Sequence, residues 1–121
     1  MTVPEKVDLR HKLSLFDERW SPRVVAELNG QEVKLVKLEG EFVWHSHAEE
    51  DELFLVLEGT LRMELLDGAI ELGPGQLLVV PRGVEHRPVA EGEVHVLLFE
   101  PAGTTNTGTA GGDLTHEADW I

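Results

Sequence analysis

Three of the six histidines in this chain sit where they can act together. His45 and His47 are separated by a single residue. On an extended strand residues i and i+2 project from the same face, so both imidazoles point one way and Trp44 and Ser46 the other. Glu52 follows at the head of the next apolar run. The acidic loop Ala48-Glu49-Glu50-Asp51 can turn it back beside them. His86 comes much later, after the turn Pro81-Arg82-Gly83. Three neutral imidazoles and one carboxylate suit a divalent transition metal. Imidazole accepts Fe, Mn, Co, Ni, Cu and Zn, and a single carboxylate lowers the charge of the site without wrapping the ion. Four protein ligands on an octahedral ion leave two positions open for substrate, O₂ or water. Taken one at a time the residues read more plainly, as a surface histidine pair and a solvated member of an acidic run. Taken together they do not. Glu52 shares a face with Phe54 and Val56, and a buried carboxylate requires a cation.

The elements that must position these residues are mostly strands. Asp8 can cap a short helix over residues 9–16, whose apolar face is Leu9, Leu13 and Phe16, continued by Trp20. An extended reading, with Val7, Leu9, His11, Leu13 and Leu15 alternating, is the alternative to the preferred helix, and Ser21-Pro22 ends either one. Strands are expected over Arg23–Leu28, Gln31–Glu39, Phe42–His47, Glu52–Leu57, Leu61–Leu66, Ala69–Leu72, Leu77–Val80, His86–Ala90 and Glu93–Glu100. Asn29-Gly30 and Asp67-Gly68 make the hairpin turns. Short strands with turns at regular intervals mean an all-β sandwich or barrel rather than a βαβ fold. The chain divides into an N-terminal segment 1–22 that packs on the barrel or a partner, a β-barrel 23–100 and a polar tail 101–121. Leu114 and the terminal Trp120-Ile121 anchor the tail. Leu53-Phe54-Leu55-Val56-Leu57 is apolar on both faces, so a second sheet or a partner subunit must cover the outer one. A homodimer is expected.

The spacing of these residues resembles the cupin superfamily. The first motif is Gly40-Glu41-Phe42-Val43-Trp44-His45-Ser46-His47, then Glu52, then Gly59; the second is Gly75, Pro81, Gly83 and His86. The two span residues 40–86 in the expected order. The chain is similar to the small single-domain members loosely called mannose-6-phosphate isomerase-like. The resemblance implies a double-stranded β-helix, or jelly roll, with His45, His47, Glu52 and His86 as ligands of one divalent transition metal: Fe, Mn, Zn, Ni or Co. Two departures are visible. Four residues separate Gly40 from His45 where the pattern usually has five, and Ala90 stands where an Asn often closes the second motif.

Composition narrows the function. In 121 residues there are 10 Lys+Arg against 23 Asp+Glu, a formal charge of −13. Such a surface repels nucleic acid and anionic membranes. Cysteine and tyrosine are absent, which excludes disulfides, thiolate metal sites, thiol nucleophiles and a crosslinked site like that of cysteine dioxygenase. No apolar run approaches the roughly 18 residues of a membrane helix, and the first residues lack the apolar core of a secretory signal. A cytoplasmic protein is expected. His95, Arg82 and Lys37 are candidates for supporting the site or contacting substrate, each against the plainer role of a structural histidine or a solvated base. The leading expectation is a metal-dependent enzyme acting on a small oxygen-bearing organic molecule, a dioxygenase ahead of an isomerase. A binding or sensing module without turnover is the alternative, and a purely structural metal the third. A phosphosugar isomerase would need a basic pocket that this chain is poorly equipped to build.

Overall fold

The turns set the strand boundaries in the computed structural model, which describes residues 3–121. Eight strands and one helix are found among them: α1 (Leu9–Leu13), β1 (Arg23–Leu28), β2 (Gln31–Glu41), β3 (Glu52–Glu58), β4 (Leu61–Leu65), β5 (Gly68–Leu72), β6 (Leu77–Val80), β7 (His86–Pro101) and β8 (Asp119–Trp120). The Asp8 side chain accepts from the amides of Arg10 and His11 and so caps α1. The helix is shorter than the expected 9–16, because the Ser14 amide already turns back onto the last carbonyls. Phe16 is buried beyond its end, against Val25 and Leu35.

One long strand organises the sheet. β7 pairs antiparallel with β2 along most of its length, with β4 through its first residues and with β3 through its last. The order is β5-β4-β7-β2-β1-β8, with β3 also carrying β6 on its far edge. A strand that pairs with two different neighbours on one edge forces the sheet to curl. Along β7, Val94, Val96, Leu98 and Glu100 face inward, and along β2 Lys34, Val36 and Leu38 do so. With Phe54, Val56, Leu61 and Met63 the apolar members build the interior. The result is the mostly-β barrel expected from the strand pattern, with one short N-terminal helix.

Two strand expectations are corrected. His86–Ala90 and Glu93–Glu100 are halves of the continuous β7. Phe42–His47 is not a laddered strand: β2 ends at Glu41, and beyond it only the isolated bridge between His45 and His86 remains. Gly40, with φ of +84°, sits at a register shift between Leu38 and Gly40; the pairing resumes at Gly40 and Glu41 and ends there.

The outer sheet face carries two rows of apolar side chains running across four strands. Val79, Leu53, Phe99 and Val33 are register neighbours, as are Leu77, Leu55, Leu97 and Leu35. The N-terminal segment covers the Leu35 end. The other end is open, with Leu77 56% and Val79 47% exposed. The tail is more ordered than its composition implied. Thr107 is fully buried, and β8 pairs parallel with β1. Ile121 packs beside Phe16 and Leu114 against the interior cluster, whereas the Trp120 side chain is exposed. No helix among the described residues is long and apolar enough to cross a membrane.

Candidate metal centre

His45, His47, Glu52 and His86 converge inside the barrel. Each is buried, and one ligand atom from each lies within 4.8 Å of all the others. The loop after β2 delivers the first two, β3 starts at the third and β7 starts at the fourth. The reciprocal backbone bridge His45 N–His86 O and His86 N–His45 O locks two ligand segments together, at 3.0 and 2.9 Å.

Ring orientation is set by backbone carbonyls. His45 Nδ1 lies 2.9 Å from the Val43 carbonyl, and His86 Nδ1 lies 2.9 Å from that of Val84. A carbonyl only accepts, so each Nδ1 carries the proton and each Nε2 presents a lone pair to the centre. Glu52 Oε1 lies 3.4 Å from His47 Nε2 and 3.5 Å from His86 Nε2. None of these three buried atoms has a hydrogen-bond partner. Buried polar atoms without partners are rare in native proteins. Here they are Lewis bases facing one another, at a spread that a cation about 2 Å from each donor can draw together. The donor set therefore fits a divalent metal ion, and the cluster can hold one.

The ionisation states agree with that reading. Burial lowers His45 to about 4, against the bond to Val43 and with help from the neighbouring His86 and His47, so the ring is neutral at physiological pH. Burial pushes the Glu52 carboxyl up, but the Glu100 carboxyl and the two imidazoles outweigh it and hold Glu52 below the usual carboxylate range. Glu100 goes the other way, raised by its own burial and by the charge on Glu52. Two buried carboxyls side by side thus push each other's ionisation apart, Glu52 down and Glu100 up. Lys34 Nζ, buried as well, donates to Glu100 Oε1 at 2.9 Å and supplies the internal counter-charge.

Beside His45 and Glu52 lies a cavity of about 30 Å³. Its walls are apolar, among them Trp20, Val36, Leu38, Phe42 and Leu98, with Asn106 of the tail completing them. Trp20 stacks on Phe42 at 4.6 Å between ring centres. Its backbone is left-handed, φ +60°, a conformation a bulky residue adopts only when held there. The holding bonds are Trp20 N to Lys37 O and Trp20 Nε1 to Glu39 O.

The other three candidates from the sequence lie elsewhere. Arg82 binds Asp51 through its backbone and guanidinium and is exposed. Lys37 is buried on the outer face of β2, donating to the Phe16 carbonyl beneath the N-terminal segment. His95 faces outward on β7 between Glu58 and Glu93. None of them lines the cavity. What sequence reasoning missed is the interior pair Lys34 and Glu100, the wall residue Asn106 and the site role of Trp20. Strand alternation from Val94 to Glu100 and from Lys34 to Leu38 could have revealed the pair; nothing marked Asn106.

The family pattern described as Cupin domain matches residues 27–100. A protein of Bacillus subtilis (strain 168) described as uncharacterized protein YdbB is 39% identical over 64 residues, which are 52% of this chain and 57% of that protein. The match thus spans little more than half the length of that relative. A crystal structure of a cupin-2 domain containing protein from Shewanella frigidimarina NCIMB 400 superposes with a TM-score of 0.78 at 50% identity, covering 78% of this chain and 93% of that one. At 21% identity, hydroquinone 1,2-dioxygenase PnpCD, solved with Cd²⁺ and 4-hydroxybenzonitrile, shares the fold with a TM-score of 0.67 over 85% of this chain and 82% of its own.

Two outcomes follow from the interior charges. Lys34→Met leaves the carboxyl pair without its cation and is expected to destabilise the metal-free protein by about 3 kcal/mol in urea unfolding, with the double variant Lys34→Met/Glu100→Leu recovering much of the loss. The second concerns pH. An unfolded imidazole ionises near 6.5, and folded His45 only at about 4. The unfolded chain therefore binds more protons between those values, and His45's share of stability is lost as pH falls from about 6.5 to about 4. NMR titration of the metal-free protein should find this ring neutral until about pH 4, and His45→Asn should lack its part of the acid destabilisation.

Proposed function

This chain belongs to the cupin domain family, and from that premise we propose that it is a mononuclear metal-dependent enzyme acting on a small oxygen-bearing organic molecule, in the dioxygenase class ahead of the isomerase class. The observation that carries the reading is the set of unpartnered buried donors beside an apolar cavity. His45, His47 and His86 through Nε2, and Glu52 through a carboxylate oxygen, would hold one divalent ion. When bound, such an ion supplies Lewis acidity and, if redox-active, an electron path to O₂. The chain's own work is positional. The Val43 and Val84 carbonyls fix the lone pairs of His45 and His86, Glu52 brings the single negative charge, and Trp20 and Phe42 keep water from the reacting side.

The preference for oxygen chemistry rests on what the cavity wall offers. Isomerisation moves protons between carbons and needs a poised general acid or base. Apart from the proposed ligands, the wall contributes Asn106 and apolar groups. The hydroquinone 1,2-dioxygenase of similar fold supports the same class by analogy of fold alone. The same scarcity of acid–base groups also favours the competing reading, a binding or sensing module without turnover, and the test below separates the two.

We also propose that two copies pair through the open end of the outer apolar rows around Leu77, Val79, Leu53 and Leu55. Twofold pairing sets this uncharged patch on itself. In sedimentation velocity the protein is expected to run as a dimer that dissociates in Leu77→Glu/Val79→Lys; a concentration-independent monomer would overturn the pairing.

Protein purified without chelator is expected to contain close to one Fe or Mn per chain by elemental analysis. His86→Ala and Glu52→Ala should each lose most of it, and unchanged metal in both would refute the site. Oxygen uptake with aromatic diols, present in the loaded protein and absent in these variants, supports the dioxygenase reading. Stoichiometric metal with no turnover of diols or keto acids would favour the binding module.

A further inference from the structure

The cavity beside His45 and Glu52 has room for about two water molecules and for no organic substrate, at about 30 Å³. Most of its wall is barrel. Val36, Leu38, Phe54 and Leu98 belong to strands held by ladder hydrogen bonds. Asn106 is different, because residues 102–118, between β7 and β8, form no strand.

This segment is fastened to the barrel by few polar contacts. Asn106 Nδ2 donates to the Trp20 carbonyl at 3.2 Å. Thr109 N donates to the Ser46 carbonyl at 2.9 Å, and Ser46 N to Thr109 Oγ1 at 3.4 Å. Ser46 stands between two proposed metal ligands, so the second fastening holds the segment against the stretch of chain that carries them. Gly108 makes that approach possible: a side chain there would collide with the Ser46 carbonyl and come within 3.1 Å of His47 Nδ1. Most other bonds of the segment are internal. Thr107 Oγ1 meets Thr115 Oγ1 at 2.6 Å, Asn106 Nδ2 also reaches Leu114 O, and Asn106 Oδ1 accepts from His116 N. Both ends are tied down, by β7 on one side and by β8 on β1 on the other. A loop with fixed ends, its own internal bonds and few polar bonds to the body can lift as a unit once Leu114 leaves the interior cluster and Thr107 its buried place.

We infer that residues 103–118 are a lid over the metal cavity, opening at Asn106–Trp20 and Ser46–Thr109 to admit a ligand with an oxygen-donor head and an uncharged apolar body. The inference rests on the proposed metal site for the head of the ligand and on the cavity wall for its body. Among the described residues no lysine or arginine lines the wall, and Asn106 already spends its amide on the Trp20 and Leu114 carbonyls and its own carbonyl on His116 N. A phosphate or a polyhydroxylated chain would enter with its polar groups unpaired. The stacked Trp20–Phe42 pair instead offers an aromatic wall to a flat ring.

The absence of cysteine makes the lid easy to lock. Ser46 Oγ and Thr109 Oγ1 are 3.5 Å apart, so Ser46→Cys/Thr109→Cys places two thiols in disulfide range as the only pair in the protein. The probe is 4-nitrocatechol, whose absorption shifts on metal binding, mixed with metal-loaded protein in stopped flow. Binding is expected to slow at least tenfold in the oxidised double variant and to recover on phosphine reduction. Asn106→Ala, which releases one fastening, should bind faster than wild type. Equal rates in oxidised and wild-type protein would overturn the lid, and displacement of the probe by a sugar phosphate as readily as by catechol would overturn the ligand class. Hydrogen exchange on metal-free protein reads the lid without the metal. Residues 103–112 should exchange well ahead of β7 and be protected by the disulfide; exchange no faster than β7 would also refute the lid. Failure to load metal while the segment still opens ahead of β7 would count against the metal site and leave the lid standing.

Discussion

A charged carboxylate inside an apolar barrel has to be balanced, and much of this molecule is arranged around that requirement. Glu52 is buried with its charge retained. Stripped of partners it would be among the costliest groups a protein can enclose. The interior answers with Lys34 on one side, reached through Glu100, and with three imidazoles on the other. The first arrangement offsets negative charge from inside the barrel. The second directs lone pairs at a point where a cation would serve better than any side chain present. The barrel thus carries both an internal counter-charge and a cluster that can hold a metal ion.

The strand that makes this possible is β7. Its first residue, His86, is a proposed ligand, and near its last, Glu100 touches the acid that completes the set. Between them it provides Val94, Val96 and Leu98 to the interior and pairs with β2, β3 and β4 in turn. The register of one strand thus brings groups from both of its ends to Glu52. A slip of one residue would turn every one of them outward.

How much of this was legible beforehand depended on whether a residue's role follows from its local surroundings. His45, His47, Glu52 and His86 could be picked out because their types and spacing only make sense together. The hairpin turns could be placed because Asn-Gly and Asp-Gly have few other uses. Lys34 and Glu100 were hidden by their chemistry, since a charged residue in or at the end of a strand ordinarily meets water. They are diagonal neighbours on the paired strands β2 and β7, and each gives the other a partner inside the barrel. Trp20 fitted the spacing of a helix that in fact stops at Leu13, and its left-handed backbone is held by β2 carbonyls and the tail, all distant in sequence. His95 and Lys37 were plausible inward groups until the parity of β7 and β2 put them outside. Asn106 lies in a run of small polar residues that reads as connector, and its role comes wholly from tertiary contact.

The scattered origin of the four metal-directed side chains has a kinetic consequence. Residues 45–52 meet residue 86 only after β7 has docked on both β2 and β3, pairings that close long loops and form late in folding. Before that closure the donors are spread along a chain with no common geometry, and a metal ion has no preformed site to bind. An ion held there would therefore stabilise the finished barrel far more than any state on the way to it. Its effect should fall on the unfolding rate and leave the folding rate nearly untouched. With an ion bound in this way, metal availability would set how long each molecule lasts rather than how quickly it is made.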